Sequence, residues 1–522
     1  MPKTGTIELT TFGGLTPDWV VKGSTDNLAY KRGRWDQSTF QTNINPFTIP
    51  GFLQPGYKYS ALTGTAPTTA MTNMTVAIQG GTIAAYGIGA NKLYKMTGAA
   101  SDFNTIVDNS PTTPTWPHSI SSSSTTKRHD LLVANINIGG TYTQCLLYSY
   151  NVSASGAGYL GRYDITNDSN WASGNSSDTA YALSTNDVGD GGASNALECD
   201  RLIVEGQDKK IYILGGYKVD SLDTTQSSAT VQTNVWDVGR NYKLKSGVWY
   251  RDLLVMAAQK NVSGTQMKGQ VIVQFWDGRS PFYETQIVID DETAGALYVD
   301  GDDLYLFTAS STFGKLRKWN GRTFERIKDV PVSIPGHGGV DKWRDGIMFV
   351  ASGLWIYGVI DLQRGRELYQ ISDTAYTCAK RLTPNNDIIH VATASSISKT
   401  DTTKYQDSAQ FNFPIQDFPH RSTIKRMTFY CLPLATGADL LIKYLKNYST
   451  TYTNYGTLSY GVSTQSGTDA DGAVTKKVFN TNITDVSNLG LALTWAGSNA
   501  ANQACITRIK LEYETNDNLA SN

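Results

Sequence analysis

The sequence predicts an all-β protein, a seven-bladed β-propeller flanked by an extended N-terminal arm and a C-terminal β-sandwich. Three observations carry that prediction. The first is a short apolar strand signature, often entered by an acidic residue, that returns at Thr82–Tyr86, Asp130–Ala134, Asp200–Val204, Asp252–Met256, Asp303–Phe307, Asp345–Val350 and Asp387–Ala392. From Ile83 to Ile388 the mean interval is about 51 residues, close to the ~40–50 residues of one four-stranded blade. A blade cannot bury both faces alone, so such units repeat until a ring closes. The intervals are uneven, about 42 residues from Asp303 to Asp345 and about 70 from Asp130 to Asp200, which leaves six blades as the alternative count.

The second observation is a recurring hairpin. Lys315–Trp319 alternates as a strand does, Asn320-Gly321 turns the chain, and Arg322–Ile327 alternates back. Gln274-Phe275-Trp276-Asp277-Gly278-Arg279 repeats the device with Asp-Gly, and Lys92–Gly98 is a reduced version. The third is composition. Charged residues are only 17%, whereas Gly (48), Tyr (29) and Trp (11) are plentiful, which suits short strands and tight turns. No stretch keeps apolar residues at helical spacing for more than about two turns.

Taken in order, residues 1–60 form an extended arm. Segments such as Lys31–Phe40 and Asn45–Tyr57 carry isolated aromatics punctuated by Pro46, Pro50 and Pro55, and proline removes ladder donors, so this is not a central strand. Its aromatics Trp19, Tyr30, Trp35, Phe40, Phe47 and Phe52 need apolar cover, on the chain's own propeller or on a neighbouring subunit, and are the oligomer-interface candidates. The propeller spans 61–408, with a long Gly-rich insert from Ser149 to Ala196. After Lys404 the pattern changes to alternating strands at Ile424–Cys431, Leu440–Leu445, Lys477–Phe479, Leu489–Trp495 and Cys505–Tyr513, the extent of a small sandwich over 409–515. Residues 516–522 are a short polar tail.

Chemical motifs are sparse. The net charge is −1 with no block of like charges, so the footprint of a dedicated nucleic-acid binder is missing. The N-terminus lacks a basic segment followed by an apolar one, and no apolar run approaches membrane-spanning length, so neither secretion nor a membrane span is expected. Five scattered cysteines without a Cys-x-x-Cys pair read as free thiols of a reducing compartment. Gly156-Ala157-Gly158-Tyr159-Leu160-Gly161 spells a dinucleotide fingerprint, but Arg162–Thr166 reads as strand where a helix must receive the pyrophosphate. The five histidines have no i, i+4 partner, and His390 reads as a packed strand residue. No Gly-x-Ser-x-Gly elbow and no assignable carboxylate pair is present. Two acidic loops offer calcium ligands, Asp187 with Asp190 and Asp469 with Asp471, yet neither completes a calcium loop with its terminal Glu, and turn formation explains both. The expectation is a protein without catalytic residues, metal or cofactor.

The C-terminal run Phe418–Met427, Leu432–Ala438, Ile442–Tyr444 and Thr507–Glu514 resembles the sandwich that closes many virion proteins of tailed bacteriophages. An arm ending in Pro50-Gly51-Phe52-Leu53-Gln54-Pro55-Gly56 before a propeller resembles the same group, in particular the propeller-bearing hub and nozzle proteins of phage tails. The resemblance implies a structural subunit of the virion tail, assembled in the host cytoplasm, that forms a ring with other copies of itself, commonly a hexamer, around the DNA exit channel. It implies other tail proteins as partners and transient passage of DNA. A recognition module binding host-surface glycan, with Tyr and Trp stacking on sugar faces, is the alternative; a propeller glycosidase lacks its acid pair.

Overall fold

The computed structural model describes residues 4–10, 12, 40–45, 47, 52–64, 67, 70–79, 82–89, 93–99, 102–108, 126–152, 157–165, 179–184, 201–260, 269–359, 365–382, 388–406, 408–435, 437–447, 449, 451–459, 475–496 and 503–515. Among them, seven sheets of four or five strands, antiparallel except where Thr63–Gly64 joins Asp102–Asp108 in parallel, follow one another along the chain, and an eighth sheet lies outside the series. Their first strands are Met71–Gln79, Thr126–Ile138, Arg201–Glu205, Tyr242–Tyr250, Thr293–Asp300, Val340–Trp343 and Cys378–Lys380. Each is adjacent to the next, and the seventh touches the first, so the sheets are the blades of a closed seven-bladed propeller with these strands innermost.

An apolar cluster fills every blade interface, as the repeat logic requires. Tyr86 and Tyr148 share one between blades one and two, Ile136 and Ile211 between two and three, and Leu214 and Met256 between three and four. Phe275 meets Leu306 between four and five, Phe307 meets Phe349 between five and six, Ile356 meets Val391 between six and seven, and Cys378 meets Met74 at the seam between seven and one.

The strand signature proves to mark two positions. In blades one, four, five, six and seven it falls on the second strand, and in blades two and three on the innermost one. Its uneven intervals therefore mix blade position with insert length. The acid that enters it is, in blade four, part of the hairpin turn, where Arg251 and Asp252 have φ of 48° and 66°. Asn320-Gly321 does connect Gly314–Trp319 to Phe324–Val330, with Gly321 at φ 94°, a conformation that costs glycine nothing. Lys92–Gly98 does not contain a turn. Gly98 sits inside the strand Leu93–Ala99, at a register shift against Asp102–Asp108.

Blade seven is completed from the other end of the chain: Tyr57–Ala61 pairs with Ile397–Tyr405 as its outer strand. Leu62 then donates its amide to Ile397 O (2.9 Å), and Thr63–Gly64 pairs with the outer strand of blade one, so residues 57–64 stitch the seam from outside. The C-terminal unit is one eight-stranded sheet curled on itself, which gives the two-layered core of a sandwich without a second sheet. Its bend lies in the twenty-residue strand Lys476–Trp495. The first part pairs with Gln416–Cys431, and Leu489–Trp495 is flanked by Asp439–Lys446 and Gln410–Asn412. Asp485, at φ 59°, marks the irregularity between the two arms.

The described strands of residues 1–60 belong to these units. Thr4–Leu9 and Phe40–Thr42 take two edges of the curled sheet, positions where missing ladder bonds are tolerated. Between them and the propeller, residues 41–56 act as a weld. Ile44 N–H donates to Gln370 O (3.1 Å), Gln41 Nε2 to Leu368 O (3.1 Å), and Leu53 exchanges both backbone hydrogen bonds with Ile506. Phe47, expected to seek cover on its own propeller or on a neighbour, finds it within the chain. Its ring meets Trp343 and Tyr369 edge-on at 5.4 and 5.2 Å, and Arg344 donates to its carbonyl. Phe40 lies in the edge strand at 39% exposure, and Phe52 is half-buried beside the Leu53 bridge. Trp19, Tyr30, Trp35, Asp187, Asp190, Asp469 and Asp471 lie outside the described residues.

Candidate functional site on the propeller axis

The innermost strands and the connection from blade five to blade six enclose a cavity of about 350 Å³, lined by Met71, Thr72, Asp130, Lys245, Gly295 and His337 among others. Short polar side chains on these strands do a specific job here. Asp130 of blade two accepts the Ile203 amide of blade three at Oδ2 (2.8 Å) and Asn73 Nδ2 of blade one at Oδ1 (2.6 Å). Ser246 of blade four accepts the Leu297 amide of blade five at Oγ (2.8 Å). At the seam, the Met74 amide of blade one donates to Asn73 Oδ1 (2.9 Å), the side chain that also donates to Asp130. An innermost strand at a blade boundary has amides with no ladder partner on the axial side, and a short acceptor on the neighbouring blade satisfies one of them.

His337 sits in the three-residue 3₁₀ turn His337–Gly339 that ends the connection. Its Nε2 lies 3.4 Å from Asp130 Oδ2 and its Nδ1 3.2 Å from Ser246 Oγ. Burial alone would raise the Asp130 carboxyl. The hydrogen bond and charge of His337, the Ile203 amide and Asn73 outweigh it and hold the carboxyl below its usual value. Burial pushes the Cys378 thiol up to about 12, which keeps it a thiol and unreactive.

Asp130, His337 and Ser246 have the composition of a nucleophilic triad, and their geometry serves another purpose. Ser246 is fully buried. Its oxygen accepts the Leu297 amide and faces His337 Nδ1, which ties the hydroxyl to two other elements of the ring. The cluster joins blades. Among the described residues, no group of three or more His, Cys, Asp or Glu gathers as metal ligands, and no helix is long and apolar enough to cross a membrane.

Sequence reasoning passed over these residues. Asp130 looked like the other strand-entering acids, of which Asp252 and Asp345 sit in turns. His337 lacked metal spacing, and only the run Pro335-Gly336-His337-Gly338-Gly339 hinted at a tight, specialised connection. His390 is a packed strand residue, buried with its ring 5.7 Å from Phe103. The fingerprint-like Gly158 and Gly161 fall inside the strand Ala157–Asp164, where a fingerprint requires the turn into a helix.

No family matches the chain, and no curated protein matches it. Among solved structures, a chain in a crystal structure of the mitotic checkpoint complex is similar, at 13% identity and a TM-score of 0.40, over 66% of this chain and 93% of that one. An exo-β-1,3-galactanase from Phanerochaete chrysosporium is similar at 10% identity and a TM-score of 0.32, over 87% of this chain and 100% of that one. Likenesses this distant carry no argument, and the propeller rests on its own strand order.

Proposed function

We propose that this chain is a non-enzymatic structural subunit of a bacteriophage virion, a hub or nozzle component that forms a ring of its own copies around the DNA exit channel of the tail. The build of the whole chain carries the reading. N-terminal strands, propeller and C-terminal sheet stand in the order in which the sequence resembles tail hub and nozzle proteins, and residues 41–56 weld them together. An axial cluster without an accessible nucleophile supports a mechanical role over a catalytic one. The outer edge of blade four supplies a contact surface: Phe282 and Tyr283 are 75% and 44% exposed just before its outer strand Thr285–Ile289. Ring assembly would bury this apolar patch, together with Trp19, Tyr30 and Trp35 of the arm. A chain with net charge −1 suits DNA that passes without being held.

The same Phe282 and Tyr283 favour one second reading, host-surface glycan recognition, because exposed rings stack on sugar faces. Electron microscopy and light scattering of the full-length chain separate the two. Closed rings that Phe282→Ser with Tyr283→Ser reduces to single subunits support the proposal. A monomer that binds bacterial glycan and never joins a particle overturns it.

A further inference from the structure

We infer that the connection from Pro331 to Gly339 is an axial latch, one segment that keeps the propeller ring closed by gripping the side chains that pass hydrogen bonds from blade to blade. The inference stands on the propeller alone and is independent of any assembly. Two such side chains lie on the innermost strands, Asp130 toward Ile203 and Ser246 toward Leu297, and Asn73 links Asp130 to the Met74 amide of blade one. Two consecutive residues of the segment reach both of them and blade seven as well. His337 faces Asp130 with Nε2 and Ser246 with Nδ1, and the Gly338 carbonyl accepts the Cys378 thiol at 3.5 Å.

The rest of the segment meets further blades. Pro335 O accepts the Ala296 amide of blade five (2.9 Å). Gly338 lies so close to blade one that a methyl group there would collide with the Thr72 carbonyl oxygen. Gly339 leads directly into Val340, the first residue of blade six. One short turn therefore engages blades one, two, four, five and seven while belonging to the start of blade six. Blade three joins through Asp130 and the Ile203 amide. An ordinary connection would touch the two blades it links. This one bears on nearly every blade, so the amides of Met74, Ile203 and Leu297 share one protecting element.

Hydrogen exchange resolved to single amides tests the latch. In the unmodified chain the Met74, Ile203 and Leu297 amides are expected to open together, with one common urea dependence. His337→Ala should accelerate all three by about tenfold, Met74 included although His337 does not touch its acceptor, while the outer strands Thr285–Ile289 and Phe324–Val330 keep their rates. Three unrelated urea slopes in the unmodified chain, or a Met74 amide that His337→Ala leaves unmoved, would reduce the segment to separate hydrogen bonds and overturn the inference. If His337→Ala does not accumulate as folded protein, Cys378→Ala is read at Ile203 and Leu297 by the same criterion, and unchanged rates there overturn it equally.

Discussion

Two carboxylates set the strongest demands at the scale of single residues. Glu292, 4% exposed, faces Lys315 and holds Arg317 Nη2 at 2.7 Å, with both cations themselves largely covered. Removing one member of a buried ionic group leaves the others uncompensated, which costs about 3–5 kcal/mol. Glu292→Gln should lower the urea midpoint by a corresponding amount, whereas the same change at the exposed Glu325 should leave it nearly unmoved. Asp130 gives a prediction in pH. Its carboxyl is held below the ordinary value in the folded state, so its contribution is present at neutral pH and lost as pH falls through that depressed value. Asp130→Asn should therefore unfold at lower urea than the parent at pH 7, and the gap should close as both are taken below the usual carboxylate range. A gap that stays constant with pH would assign the loss to shape and remove the charge from the account.

At the scale of elements, the weld and the seam can be separated. Phe47 is the apolar end of the weld, 6% exposed between Trp343 and Tyr369. Truncating a core phenylalanine costs about 3–5 kcal/mol. Phe47→Ala should split calorimetric unfolding into separate transitions for curled sheet and propeller; a single transition, merely shifted, would show that the hydrogen bonds of Gln41, Ile44 and Leu53 suffice. Deleting residues 1–56 keeps Tyr57–Ala61 and should leave the propeller folded. Deleting 1–64 bares the edge of Ile397–Tyr405 and should produce aggregation, since an uncovered edge strand pairs with whatever it meets. The elements themselves were largely readable from the amino acids. Asn320-Gly321 announced its hairpin because only turn chemistry explains that pair between two alternating runs. Gly98 misled because glycine serves bulges as readily as turns. The arm's strands escaped notice because an edge strand needs only a few ladder bonds and tolerates proline nearby. The axial cluster was hidden for a different reason. Asp130, Ser246, His337 and Cys378 are scattered over about 250 residues of sequence, and only ring closure brings them together.

For the molecule as a whole, the repeat predicted a closed ring and the ring is closed, yet the manner of closure was not in the repeat. It depends on pairs that join early residues to late ones: Tyr57–Ala61 with Ile397–Tyr405, and Thr4–Leu9 with Ile506–Thr515. Such pairs impose a timetable on a ribosome. At about 5–20 residues per second, the strand at Tyr57 waits roughly 20–70 seconds before its partner has been made, and the strand at Thr4 waits longer still. Throughout that time the first strands born are those with nothing to pair with, and blade one stands with an open flank. The cell must shelter a half-made ring until its last quarter arrives, so the yield of this protein should depend on how fast it is translated and on which chaperones are at hand more than on the strength of any contact in the finished fold.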